Sequence, residues 1–329
     1  MTTWEDLLFF KHNGYFRFPK FLQIEITDFC PLQCPQCYKS DAKFNFIDEK
    51  LFDNIIVQAA QLNVDRIFFN GGEPLLHPSF GKFVKRVHDQ RIQPAVITSG
   101  IGINDDFIKI ANNTQLEVFL SLNGSSEKIN ARSREGYHEA ICAANLLRRE
   151  GIKFNINWVA RHDNVRDLPN LILLGKKIGA KAINVVCNKI TSHKEMISEL
   201  TQSDYNFLIK TIKLHENYIL VQNCYGLLLS ALGSPNNKLY GCQAGIREMA
   251  VTCKGLFLPC THLYYPESYD NILEYWQKSV YLKKIRENEG LLQYCSDCGL
   301  CRFCHAMSQV THDNLGLVFK NCPIKLNKK

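Results

Sequence analysis

The sequence predicts an α/β fold: a parallel sheet covered by helices, followed by a smaller, metal-organised domain. Three observations predict it. Over the first two thirds of the chain, short apolar runs alternate with helix-spaced segments six times, the pattern of β-then-α units. After about residue 200 the strands shorten, and glycine and cysteine become frequent. Eight of the 14 cysteines fall between Cys242 and Cys322.

The elements follow in order. Residues 22–27, 66–70, 93–98, 116–122, 153–159 and 181–186 read as strands. Residues 49–62, 80–90, 104–112, 138–151 and 167–178 have helical periodicity, and one more helix is expected near 202–215. Residues 233–237, Gly-Ser-Pro-Asn-Asn, read as a loop. Residues 250–260 read as a hairpin turning at Lys254-Gly255. The expected divisions are an N-terminal extension at 1–20, an α/β domain at 21–215, a linker at 216–240 and a second domain at 241–329. The pattern fits an open sheet or a barrel, and both bind ligands at the C-terminal ends of their strands.

At 46% apolar and 22% charged residues, the 329-residue chain can bury a sizeable core without disulfides. Its first residues, Met1-Thr2-Thr3-Trp4-Glu5-Asp6, carry no basic stretch, and no long apolar run follows. No signal peptide or membrane span is expected, and the expected compartment is the cytoplasm. A net charge of +7 spread along the chain permits an acidic or peptide partner and does not call for nucleic acid. In a reducing compartment, 14 cysteines point to metal or redox chemistry rather than cross-links.

The loop after the first strand, Cys30-Pro-Leu-Gln-Cys34-Pro-Gln-Cys37, supplies three thiols and no histidine. Structural zinc sites close with four ligands, so the competing reading is zinc completed by a distant Cys or His. A four-iron cluster held by three cysteines keeps one iron open, which is what a catalytic centre needs.

This loop resembles the signature of the radical S-adenosylmethionine (SAM) superfamily. About forty residues on, after the second strand, Asn70-Gly71-Gly72-Glu73-Pro74-Leu75 resembles the family's GGEP motif, which binds the SAM amino group. Glycines permit close backbone approach, and carbonyls plus a carboxylate suit an ammonium. Thr98-Ser99-Gly100 and Ser121-Leu122-Asn123-Gly124 follow the third and fourth strands, where the family often has Thr-Asn-Gly and Ser-Leu-Asp-Gly. The resemblance implies that Ser99, Ser121 and Asn123 bond the SAM ribose or carboxylate, and that Arg134 matches a family arginine. In the family, an aromatic residue before the last cysteine often packs on the adenine; here Gln36 stands there, with Tyr38 on the other side.

The later cysteines, Cys242, Cys260, Cys295, Cys298, Cys301, Cys304 and Cys322, resemble the SPASM domain of peptide-modifying radical SAM enzymes. That resemblance implies two auxiliary 4Fe-4S clusters. Cys295, Cys298, Cys301 and Cys322 would hold the outer one, and Cys242, Cys260 and Cys304 the inner one. Read alone, the CxxCxxCxxC run also suits a ferredoxin-type cluster or zinc. Cys142 and Cys187 read as buried, inert thiols. Cys224 has three readings: fourth ligand of the inner cluster (a role Cys253 also suits), hydrogen donor to a substrate radical, or inert thiol.

Taken together, the resemblance implies a partial (β/α)6 barrel with a C-terminal SPASM domain. Its cofactors would be SAM, a SAM-binding 4Fe-4S cluster and two auxiliary clusters. It would cleave SAM reductively and use the 5′-deoxyadenosyl radical to abstract hydrogen from a ribosomally made peptide, with epimerisation, crosslinking or oxidation as outcomes. The other readings are a sulfatase-maturase-like or small-molecule radical SAM enzyme, and a non-catalytic electron carrier. Expected partners are a peptide substrate, a donor such as flavodoxin or ferredoxin, and a separate leader-binding protein. That last partner is one of three readings, because only about twenty residues precede the first strand: leader binding uses a separate protein, uses the barrel rim, or does not occur.

Overall fold

Six strands form where the apolar runs place them. They are β1 (Phe21–Thr27), β2 (Arg66–Gly71), β3 (Gln93–Thr98), β4 (Glu117–Ser121), β5 (Phe154–Ala160) and β6 (Ala182–Cys187). Each pairs in parallel with the next. This computed structural model describes residues 3–39, 44–189, 200–233 and 241–287. Helices α1 (Trp4–Asn13), α2 (Glu49–Gln61), α3 (Phe80–Asp89), α4 (Asp105–Thr114), α5 (Glu127–Asn130), α6 (Tyr137–Arg149) and α7 (Leu168–Ile178) accompany them. After β6 come α8 (Gln202–Leu214), β7 (Ile219–Val221) and α9 (Gly226–Ala231). The chain continues through β8 (Glu248–Val251), β9 (Phe257–Leu258), α10 (Ile272–Lys278) and α11 (Val280–Glu287). No helix among the described residues is long and apolar enough to cross a membrane.

The two faces of the sheet differ. On β1, Leu22, Ile24 and Ile26 are fully buried in the core that also holds Phe52, Ile55 and Ile56 of α2. The alternate residues carry polar groups. Asn70 Nδ2 and the Thr261 hydroxyl both donate to Gln23 Oε1, at 3.0 and 2.9 Å. Asn184 Nδ2 donates to Asn157 Oδ1 at 2.9 Å. A parallel sheet packed by helices on both faces would be apolar on both. Here the second face mixes these polar groups with the rings of Phe21, Phe68 and Phe119.

The sheet order is β7-β6-β5-β4-β3-β2-β1-β8-β9. Three-residue β7 adds a strand beyond the six, in the stretch read as a linker. The hairpin forms where the sequence places it, with Gly255 at φ +78° in its turn and β8 antiparallel to β9. Unforeseen is its place in the fold. β8 pairs in parallel with β1, so the hairpin continues the main sheet.

Candidate active site

The cysteine loop leaves the C-terminal end of β1 and is clamped on two sides. On one, Gly72 N–H donates to Thr27 O at 2.8 Å, and Glu73 N–H to Phe29 O at 2.7 Å. The glycines make this approach possible. A Cβ on Gly71, at φ +126°, would lie 2.1 Å from Thr27 O, and one on Gly72 would lie 2.0 Å from Phe29 O. On the other side, Gln33 N–H donates to Glu135 Oε2 at 2.8 Å and Gln36 N–H to Ser133 O at 3.2 Å. Cys37 N–H closes the loop onto Cys34 O at 3.0 Å.

Glu73 is buried and caps the turn that begins at Pro74, accepting from Leu75 N–H at 3.3 Å. Its carboxylate also accepts from the Thr98 hydroxyl (2.7 Å), Ser99 N–H (2.8 Å) and the Ser99 hydroxyl (2.6 Å). Burial pushes its carboxyl above the usual range, and these donors oppose that rise. Glu73 therefore ties the end of β2 to the end of β3. Ser99, read from sequence as a SAM contact, has its hydroxyl on Glu73. The Thr98 contribution was not read from sequence.

Cys34 is buried, and Cys30 and Cys37 are half-buried. Burial raises the Cys30 thiol to about 11. Leu32 N–H opposes the rise, while the charges of Glu73, Cys34 and Cys37 add to it. A metal must displace that proton to bind the sulfur. Among the described residues, no three His, Cys, Asp or Glu side chains converge on a point fit for a single ion. A four-iron cube asks for something else, one thiolate on each of three corner irons. Three thiols on one loop, near a buried carboxylate, fit that group.

The remaining expected contacts are placed as follows. Ser121 is buried at the end of β4. Asn123 is buried; its Oδ1 accepts from Val159 N–H at 3.0 Å and its Nδ2 donates to Ser133 Oγ at 2.9 Å. Its amide thus links β4, β5 and the loop that holds Gln36. Arg134 is half-buried, its backbone carbonyl taken by Asn130 Nδ2 at 2.8 Å. Tyr38 donates to Glu25 Oε1 at 3.2 Å, and its ring lies 4.4 Å from that of His262. Burial raises the Tyr38 hydroxyl, with the charges of Glu25, Cys37 and Cys260 adding to it. Tyr38 therefore stands between the first cysteine loop and Cys260. Glu25 also holds Lys39 Nζ at 2.8 Å; sequence reading singled out neither residue.

Of the later cysteines, Cys242 and Cys253 are buried and Cys260 is half-buried. Cys295, Cys298, Cys301, Cys304 and Cys322 lie outside the described residues. Cys187 is buried as expected, but Cys142 is exposed on α6, whose buried face is Ala140, Ala143, Ala144 and Leu147. Cys224 is half-buried, with its sulfur 3.6 Å from that of Cys187.

Residues 24–175 match the family model described as Radical SAM superfamily. The match covers the β1–α7 segment, a little under half of the chain. The chain is 27% identical over 174 residues to a PqqA peptide cyclase of Gluconobacter oxydans, covering 51% of this chain and 49% of that protein. A PqqA peptide cyclase of Methylorubrum extorquens is 24% identical over 317 residues, covering 88% and 82%. The chain thus spans about half the length of the first of these curated relatives. Among solved structures, Streptococcus suis SuiB bound to precursor peptide SuiA superposes with a TM-score of 0.80 at 19% identity, covering 97% of this chain and 79% of that one. Native anSMEcpe with bound AdoMet gives 0.68 at 18% identity, covering 94% of each chain. At those identities the likeness is one of fold, and the segment matching the radical SAM model is its β1–α7 part.

Proposed function

We propose that this chain is a radical SAM enzyme that modifies a ribosomally synthesised peptide. The observation that carries the reading is the interlock of two motifs. The Gly71-Gly72-Glu73 backbone is bonded to the stem of the cysteine loop, so any ligand of the one lies beside the metal of the other. In this reading Cys30, Cys34 and Cys37 hold a 4Fe-4S cluster, and the 71–74 segment receives the SAM amino group. When bound, cluster and SAM supply the one-electron chemistry and the hydrogen-abstracting radical. The chain's own residues do the rest. The Glu73, Thr98 and Ser99 bonds fix the SAM platform, and the sheet face around Gln23 and Asn157 receives the substrate.

The peptide class is supported by the names of relatives, PqqA peptide cyclase, and by SuiB bound to a precursor peptide. The cyclase name favours crosslinking over epimerisation or oxidation. Cys242 and Cys260 with the undescribed cysteines would hold the auxiliary clusters, and a flavodoxin or ferredoxin would supply electrons.

Reduced, reconstituted protein is expected to release 5′-deoxyadenosine from SAM. The triple variant Cys30→Ala, Cys34→Ala, Cys37→Ala is expected to release none. Equal release from both would place the chemistry elsewhere. A mass change in a short peptide encoded beside this gene, after incubation with enzyme and SAM, tests the substrate class.

A further inference from the structure

We propose that Cys187 and Cys224 form a reversible dithiol–disulfide pair that fastens the turn after β7 to the end of β6. The two lie 37 positions apart in sequence; Cys187 ends β6, and Cys224 lies in the turn three residues after β7, the parallel neighbour of β6. Val185 pairs with Val221, so Cys187 lies two residues past that pair and Cys224 three. Adjacent strands stand about 4.8 Å apart. The turn then folds back, bringing the sulfurs to 3.6 Å, in van der Waals contact. A disulfide needs them at about 2.05 Å, a shift of about 1.5 Å.

The pair is asymmetric in the way an exchange reaction uses. Cys187 is 1% exposed, on the same face of β6 as buried Ile183 and Val185. Cys224 is half-buried and reachable, its thiol donating to Gln222 Oε1 at 3.0 Å. The surroundings are firm. Gln222 N–H donates to Val185 O at 3.0 Å, and Tyr225, next to Cys224 in sequence, is buried. The sulfurs are therefore held together rather than meeting by chance.

The oxidant is a low-molecular-weight disulfide. Cys224 gives up its proton and attacks it, forming a mixed disulfide and releasing one thiol. Cys187 then gives up its proton and attacks the Cys224 sulfur, releasing the second thiol. Two protein thiols and one small disulfide become one protein disulfide and two small thiols. The consequence reaches past the turn. Asn223 O accepts from Gly241 N–H at 2.8 Å, and the next residue is Cys242. Closing the pair fixes the segment against which Cys242 is held.

The test uses reconstituted holoprotein, equilibrated without oxygen with oxidised glutathione, acid-quenched, alkylated and peptide-mapped. The expected product is a peptide joining Cys187 to Cys224, lighter than its two parts by two hydrogen atoms, with iron content unchanged. Exposed Cys142 takes a glutathione adduct and reports that the reagent acted. Cys187→Ser is expected to trap glutathione on Cys224, because the second attack is gone. If that variant does not fold, the wild-type map decides alone. A lasting adduct on wild-type Cys224, an unreacted pair beside modified Cys142, or iron released as the pair closes overturns the proposal. Amide exchange across 219–224 is expected to slow about tenfold on oxidation. Unchanged exchange overturns the fastening.

Discussion

Gly72 has no room for a side chain, and the reason is the cysteine loop itself. Its Cα faces Phe29 O so closely that even a methyl group would force the clamp apart. Gly72→Ala is expected to cost about 2–3 kcal/mol, the range of overpacking in a closed site, and to abolish 5′-deoxyadenosine release. Gly151→Ala is the control: φ is +71° but nothing lies within 4 Å, so only the backbone penalty of about 1 kcal/mol remains. Urea midpoints of the two variants check this, and equal shifts would remove the steric account. The motifs were legible because glycine and cysteine spacing is written in the chain. What each polar side chain does was less so. Ser99 and Asn123 stood out as strand-end residues, but their bonds to Glu73, Val159 and Ser133 depend on neighbours 26, 36 and 10 positions away. The Cys187–Cys224 contact was hidden for a related reason, since it requires β7, whose three residues carry too little pattern to read.

Among the elements, α8 shows how a helix start becomes pH-sensitive. Thr201 and Asp204 form a capping box, and buried Asp204 also accepts from His162 Nδ1 at 2.6 Å and pairs with Arg166 at 3.3 Å. Burial raises the Asp204 carboxyl, but the hydrogen bonds from His162 and Thr201 outweigh it and hold the group below its ordinary 3.8. A depressed folded pKa means that the stabilisation is present above the unfolded value and lost as pH falls through the folded one. Asp204→Ala is therefore expected to cost about 1–3 kcal/mol at neutral pH. The gap from wild type should shrink as pH drops from about 5 to about 2. A gap constant over that window would show that the loss is packing rather than charge. The α8 helix was foreseen from its period; α1 was not. Its apolar residues Leu7, Leu8, Phe9 and Phe10 are consecutive, and only Phe10 is buried. What marks it is a capping box at Thr3 and a left-handed Gly14.

At the scale of the whole molecule, the β8–β9 hairpin belongs to the barrel sheet rather than standing apart. Lys20 and Phe21 N–H both donate to Arg247 O, and buried Trp276 donates its indole N–H to Phe16 O at 3.0 Å. Sequence could place the hairpin but not its partner, because strand pairing across more than 200 residues leaves no local trace. Single-tryptophan proteins retaining Trp158 or Trp276 are expected to report one coincident urea transition. Two separated transitions would mean that the hairpin region unfolds on its own. The same joining bears on metal content. Cys242, Cys253 and Cys260 lie in or beside the β8–β9 hairpin, which is paired to β1. The first loop, after the C-terminal end of β1, adds three more thiols. Reconstituted protein should then hold about twelve irons if all three sites are cubes of four. The variant lacking Cys30, Cys34 and Cys37 should keep about eight, because the later cysteines do not depend on that loop. Iron near four with zinc bound would leave the first site standing and sink the auxiliary clusters.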